Sequence, residues 1–361
     1  MRWLLFVFLT PAAFAQADPF AALDKNRDGK LALSEVPKPA QAHFKRVDAN
    51  HDGVVTKEEF AKSNGASDQG KAPANAGSPG VDLLKDIDYV GKGNPRQKLD
   101  ILVPKDHATK KRPLIVFIHG GGWLAGSKTD GLGVIQAVAS TGDYVAATIN
   151  YRLTPEAGWP AQIFDCKAAI RYLRGNAAKY GIDPEHIGVM GLSAGGHLVS
   201  VLGTSGDVPS LEGELGSFTK ESSRVQCVVN FFGPTNFLTF YGPGTTTVKI
   251  RDAKMIGPLL GKEEEEVLVN AKSASPVTWI TKDDAPFFTA HGTQDNLVPY
   301  AQAEEINASL AKAGVETHLI EMTGAGHGFD SDDLNGRIKL FLDKHLRGRQ
   351  AEIPGTPIRV Q

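Results

Sequence analysis

From residue 98 onward, short apolar runs rich in Val, Ile and Phe alternate with stretches of helical periodicity, and this alternation most restricts the fold. The runs cover residues 98–103, 114–119, 144–151, 187–192, 225–232, 286–291 and, with weaker apolar character, 318–322. Several are apolar on consecutive residues, as parallel strands covered on both faces require. Helical patterns fall at residues 160–180, 194–203, 300–313 and 333–346. Strand alternating with helix predicts an α/β class, a mostly parallel sheet with helices on both faces. The chain has 361 residues, which suits one large domain or two unequal ones. With 41% hydrophobic and 22% charged residues, wholesale disorder and fibrous classes are excluded. The 39 basic and 41 acidic residues nearly cancel, so bulk charge implies no nucleic acid or anionic membrane partner. Two cysteines exclude a disulfide framework and a cysteine-rich zinc module.

The first residues read as a targeting segment. Arg2 precedes the apolar run of residues 3–9, and small residues follow Pro11. Cleavage fits after Ala15 or after Ala17. The run is far shorter than the roughly 20 residues a membrane helix needs, and no later segment reads as one. No Cys sits at either cut, which argues against a lipid anchor there. Residues 1–17 are therefore expected to be a removed signal peptide, and the mature protein to be secreted or periplasmic.

Residues 18–64 contain the pattern D-x-[DN]-x-[DN]-G-x5-E twice, at residues 24–35 and 48–59. Asp24, Asn26 and Asp28, and then Asp48, Asn50 and Asp52, offer side-chain oxygens at alternating positions. Lys30 and Val54 offer backbone carbonyls, and Glu35 and Glu59 offer bidentate carboxylates. This is a calcium donor set, with Gly29 and Gly53 at the sharp turn. The segment resembles an EF-hand pair. The resemblance implies a small all-α unit in which Leu31 and Val55, at position eight of each loop, make a two-stranded contact. Pro37 and Pro39 cut the first exiting helix, and Ala32 cannot coordinate. Both departures predict weak to moderate calcium affinity and a structural role, with docking to a partner as the other use. Residues 65–80 lack aromatic and β-branched side chains and read as a flexible linker.

Gly191-Leu192-Ser193-Ala194-Gly195 joins an apolar run to a helical pattern, the strand–turn–helix setting of a nucleophile elbow. His119-Gly120-Gly121-Gly122-Trp123 ends another run. Glycines there leave backbone N–H groups free to face a developing oxyanion, and the expected donors are Gly121, Gly122 and Ala194. No G-K-[ST] and no GxGxxG ahead of a helix supports nucleotide binding.

Together with Asn150-Tyr151-Arg152-Leu153 and Pro160, these motifs resemble α/β-hydrolase carboxylesterases. The similarity is to the hormone-sensitive-lipase-like and feruloyl- and acetylxylan-esterase-like groups, over residues 86–346. The resemblance implies a catalytic domain over 81–348 that needs no cofactor for the chemistry. It implies short or aromatic acyl esters as substrates, either small molecules or plant polysaccharide. A peptidase or amidase on the same scaffold is the competing reading, and a calcium-dependent docking protein is a third.

The chain order Ser, acid, His selects Ser193, Asp295 after the run ending at His291, and His327 after the last strand. His119 and His197 belong to the loop and elbow motifs and are expected to orient backbone. Residues 204–224 and 234–275 read as insertions, with residues 263–266 as a solvated acidic helix face. Phe237, Phe240 and Tyr241 fit a substrate cleft or core packing equally. Trp159 and Trp123 carry the same two readings, with Trp123 placed in the substrate site by its neighbours. Cys166 and Cys227 are expected as buried free thiols, and the tail, 349–361, as loose.

Overall fold

Ile115, Val116, Phe117 and Ile118 form the middle of the central sheet, and all four are buried. Their side chains alternate in direction, so Val116 joins the apolar layer that holds Val189 and Ile163 while Ile115 and Phe117 join the layer that holds Met190 and Phe341. Two apolar layers thus enclose one strand, as the consecutive apolar run predicts. Each fully buried Val, Ile, Leu or Phe contributes about 1.5–3 kcal/mol.

The structure is a computed structural model that describes residues 80–360 except 155 and 207, together with residues 24, 26, 28–35, 48, 52–57 and 59. The expected signal peptide, the linker up to residue 79, Asn50, Pro37 and Pro39 lie outside the described residues. Among the described residues, no helix is long and apolar enough to cross a membrane. The chain divides into two compact units, one carrying Gly77–Gln361 and the other Thr10–Ala76.

In the smaller unit, strands β1 (Lys30–Ala32) and β2 (Val54–Thr56) pair antiparallel with Leu31 opposite Val55. That is the contact expected at position eight of the two loops.

In the larger unit, nine described strands run in the order β11-β10-β9-β8-β7-β5-β6-β4-β3. They are β3 (Val81–Asp88), β4 (Lys98–Pro104), β5 (Arg112–Ile118), β6 (Val145–Ile149), β7 (Ile182–Leu192), β8 (Cys227–Phe231), β9 (Phe287–Gly292), β10 (Thr317–Thr323) and β11 (Ile358–Arg359). From β6 to β11 every pairing is parallel. β4 pairs antiparallel with β6, and β3 antiparallel with β4.

Helices α2 (Ala161–Gly175) and α4 (Ala194–Thr204) cover one face through Ile163, Ile170, Leu198 and Val201. Helices α1 (Leu132–Ala139) and α9 (Asp332–Arg347) cover the other through Ile135, Val138, Ile338 and Phe341. A short α3 (Ala177–Tyr180) completes the 160–180 stretch as a separate turn. The insertion at 234–275 folds into α5 (Thr247–Asp252), α6 (Gly257–Leu260) and α7 (Glu264–Ala274), and the acidic run is exposed on α7 as expected. Helix α8 (Ala301–Ala313) follows β9.

The tail corrects one expectation. It is docked, with Ile353 and Ile358 buried and β11 extending the sheet beside β10. Arg337 fixes it by donating to the carbonyls of Pro354, at 3.0 Å, and Thr356, at 2.5 Å. Cys166 and Cys227 are both buried free thiols.

Candidate active site

The end of β7 and the start of α4 nearly touch, and small residues make this possible. A Cβ on Gly195 would lie 2.1 Å from the carbonyl oxygen of Ile118, and one on Gly191 would lie 2.4 Å from that of Gly195. Between them Ser193 takes φ 53° and ψ −116°. Such backbone costs about 1–3 kcal/mol and persists only where its surroundings hold it. Here the Ser193 N–H donates to the Phe231 carbonyl at 2.9 Å, and its own carbonyl accepts from His197 N–H. The side chain is thereby presented at the C-terminal edge of the parallel strands.

The three residues selected by chain order converge there. The Ser193 hydroxyl lies 2.9 Å from His327 Nε2, and His327 Nδ1 lies 2.7 Å from Asp295 Oδ2. The other oxygen of Asp295 accepts the N–H groups of Leu297, at 2.8 Å, and Val298, at 2.9 Å. Burial pushes the Asp295 carboxyl up, but hydrogen bonds from His291 and His327 and from Val298 N–H outweigh it. The group is held well below the usual carboxylate range. It therefore stays ionised beside the imidazole. The His327 ring also rests on Phe232, with centroids 4.6 Å apart.

The loop after β5 supplies the other half of the site. Gly121 and Gly122 have φ of 100° and 60°, a region a side chain would strain. Among the described residues, the N–H groups of Gly121, Gly122 and Ala194 donate to no protein acceptor. Ala194 also opens α4, whose N-terminal dipole end favours negative charge. Tyr151 braces the loop from below. Its hydroxyl donates to the carbonyls of His119 and Gly120, and its ring stacks on His119 at 4.3 Å.

The tryptophan of this loop departs from the expectation. Trp123 is 3% exposed, so it offers no face to a substrate. Its ring packs against His197 and Phe237, and its indole N–H donates to His197 Nδ1. Trp123 is itself held at φ 60°, which turns its side chain inward. Phe237 and Phe240 are buried as core, Tyr241 is exposed, and Trp159 is buried with its N–H on Ser273 Oγ. His197 orients backbone as expected, through Nε2 on the Ala274 carbonyl at 2.6 Å.

Two further residues belong to the site. Met255, between α5 and α6, places its sulfur 3.0 Å from where a Cβ on Gly122 would stand. No local pattern marks it, because the contact spans more than a hundred residues. His291, which reads only as part of a strand, reaches Asp295 Oδ2 with Nε2 at 3.2 Å.

In the smaller unit the two loops fold alike. Asp24 accepts from the N–H groups of Asp28, at 3.1 Å, and Gly29, at 2.9 Å; Asp48 accepts from Asp52 and Gly53 at the same distances. Glu35 turns back onto Asn26 N–H and Ala32 N–H, and Glu59 onto Thr56 N–H. Gly29 and Gly53 have φ of 80° and 88°, as the sharp turn requires. Donor types and backbone course fit a calcium loop. Among the described residues, no three His, Cys, Asp or Glu side chains form a metal-holding group.

Comparison with known proteins agrees with this geometry. The BD-FAE family model matches residues 99–310, and an EF-hand model matches residues 41–62. Esterase LipC of Mycobacterium tuberculosis is 33% identical over 265 residues, which are 71% of this chain and 64% of that protein. The chain spans 64%, 57% and 56% of three such mycobacterial relatives. Among solved structures, a truncated carbohydrate esterase from gut microbiota has a TM-score of 0.68 and 31% identity, covering 77% of this chain and 100% of that one. A thermophilic esterase of Thermogutta terrifontis, with propionate bound, has a TM-score of 0.56 and 27% identity, covering 70% and 86%.

Proposed function

Because the chain belongs to the BD-FAE family of α/β-hydrolase esterases, we propose that it is an exported serine carboxylesterase. Its substrates are short-chain or aromatic acyl esters, with polysaccharide-borne esters as the natural ones. The observation that carries the reading is the linear relay from Ser193 through His327 to Asp295, at 2.9 and 2.7 Å. It stands beside three backbone donors with no protein acceptor.

Chemistry follows from that arrangement. The Ser193 hydroxyl donates to His327 Nε2, so attack on the acyl carbon passes the proton to His327. Asp295 accepts from Nδ1–H and stabilises the imidazolium, which its ionised state permits. The oxyanion sits against the N–H groups of Gly121, Gly122 and Ala194, where each donor is worth about 3–4 kcal/mol. His327 then protonates the departing alcohol, and water releases the acyl group by the reverse of these steps. No cofactor enters.

Two features support short acyl groups. Met255 closes over Gly122, and the Thermogutta terrifontis relative holds propionate. The carbohydrate reading draws on the gut carbohydrate esterase at 31% identity. Export rests on the sequence of residues 1–17 alone.

Calcium in the N-terminal loops is part of the same proposal. The side chains of Asp24, Asn26, Asp28 and Glu35, and of Asp48, Asn50, Asp52 and Glu59, would hold it, with the carbonyls of Lys30 and Val54. Bound there, the ion would supply structural cross-linking of each loop.

Kinetics on acetyl, butyryl, decanoyl and feruloyl esters and on acetylated xylan, with and without chelator, test this reading. Preference for acetyl or feruloyl esters supports it. Preference for decanoyl esters, or cleavage of amides alone, contradicts it.

A further inference from the structure

We infer that His291 is a positioning residue for the acid of this site, a role that rests on the esterase reading above. His291 lies on β9, four residues before Asp295, and the side chains of both are fully buried. Its Nε2 stands 3.2 Å from Asp295 Oδ2 and 2.9 Å from the Val298 carbonyl oxygen. Both neighbours only accept, so Nε2 carries the hydrogen, which it gives to the Val298 carbonyl while the Asp295 carboxylate lies alongside.

The three groups close a ring. His291 donates to Val298 O, Val298 N–H donates to Asp295 Oδ1 at 2.9 Å, and Asp295 Oδ2 stands 3.2 Å from the His291 Nε2 where the ring began. The loop carrying the acid is thus gripped through backbone and carboxylate by one side chain. Asp295 Oδ2 thus faces two imidazoles, bonded to His327 at 2.7 Å and beside His291 at 3.2 Å.

The far side of the ring makes no polar contact among the described residues. His291 Nδ1 is buried and, among the described residues, has no hydrogen-bond partner. Its neighbours are the rings of Phe232, at 6.5 Å, and Tyr300, at 5.8 Å, both edge-on. A purely structural position surrounded by aromatic rings would be better filled by an apolar side chain, since an unpartnered buried nitrogen is unfavourable. The bond from Nε2 offsets that. The titratable groups around this centre are Asp295, His327 and Tyr300.

Substitution of His291 by Gln, Asn and Phe in the full-length protein tests the role. Gln places an amide N–H where Nε2 stands, whereas Asn is too short and Phe has no donor. The expected result on an acetyl ester is a kcat lowered about tenfold to a hundredfold in His291→Phe and His291→Asn, with KM within about twofold. The acid limb of kcat/KM moves to higher pH, because a carboxylate with one donor fewer binds the imidazolium more tightly. His291→Gln recovers most of kcat and the original limb. Folded Phe and Asn variants with unchanged kcat and profile overturn the role, as does a Gln variant no better than Asn. Should His291→Phe not fold, the Gln and Asn pair decides alone. A Ser193→Ala control separates the outcomes: its full activity refutes the esterase mechanism, whereas its inactivity beside normal His291 variants refutes only this role.

Discussion

The indole N–H of Trp123 donates to Nδ1 of His197 at 3.2 Å, and so links the glycine loop after β5 to helix α4, which follows Ser193. His197 completes the link by giving Nε2–H to the Ala274 carbonyl on α7. Both side chains are buried, so neither finds water if the other is lost. Trp123→Phe keeps the ring but strands His197 Nδ1, which costs about 1–3 kcal/mol. Thermal unfolding should show the loss. Because Gly121 and Gly122 shift with the loop, kcat should fall more than KM rises. A variant with wild-type stability and kcat would show that the link is idle.

His119 and His197 predict how stability follows pH. Burial pushes both imidazoles down to about 4, against weaker support from their backbone hydrogen bonds. In the unfolded chain they titrate near 6.5. Between those values the unfolded state binds more protons, so stability is complete above about pH 6.5 and falls as pH drops towards 4. Each group contributes a slope of at most about 1.4 kcal/mol per pH unit. Urea midpoints at pH 7 and pH 5 measure this, and His119→Asn with His197→Asn should flatten the difference. An unchanged difference would assign the slope to other groups.

Met255 sets an expectation for acyl length. Its thioether lies against Gly122, one of the three proposed oxyanion donors. Met255→Ala should raise kcat/KM for hexanoyl over acetyl esters by about tenfold, the worth of a few methylenes in an apolar pocket. The ratio of the two rates is the measurement, and an unchanged ratio removes Met255 from the acyl wall.

Calcium should stabilise the chain without entering the chemistry. Calorimetric titration of the full-length protein should show binding that Glu35→Gln together with Glu59→Gln abolishes, since each Glu is the bidentate donor of its loop. Melting temperature should rise with calcium by mass action, while kcat on an acetyl ester stays the same with chelator. Absence of heat on titration would refute calcium binding.

Features carried by local pattern were readable in the sequence. Consecutive apolar residues mark β5 to β9 because those strands are buried on both faces, and chain order alone selects Ser193, Asp295 and His327. Features that depend on distant partners were not readable. β3 alternates with exposed charges such as Lys85 and Asp86 and becomes a strand only beside β4. The tail looks loose because its apolar anchors are few and scattered, among them Ile353 and Ile358, and its fixing cation, Arg337, lies on α9. Trp123 has the neighbours of a substrate-lining residue in sequence, yet its backbone turn buries it against His197. Met255 and His291 act through contacts that no spacing rule encodes.

The central claim is that Ser193 is the nucleophile of an ester hydrolysis. Incubation with an aryl organophosphate, followed by mass spectrometry of peptides, tests it most directly. One phosphoryl adduct per chain, mapped to Ser193 and formed in step with loss of esterase activity, is the expected result. Full esterase activity in Ser193→Ala, or stoichiometric labelling elsewhere with Ser193 unmodified, would contradict it.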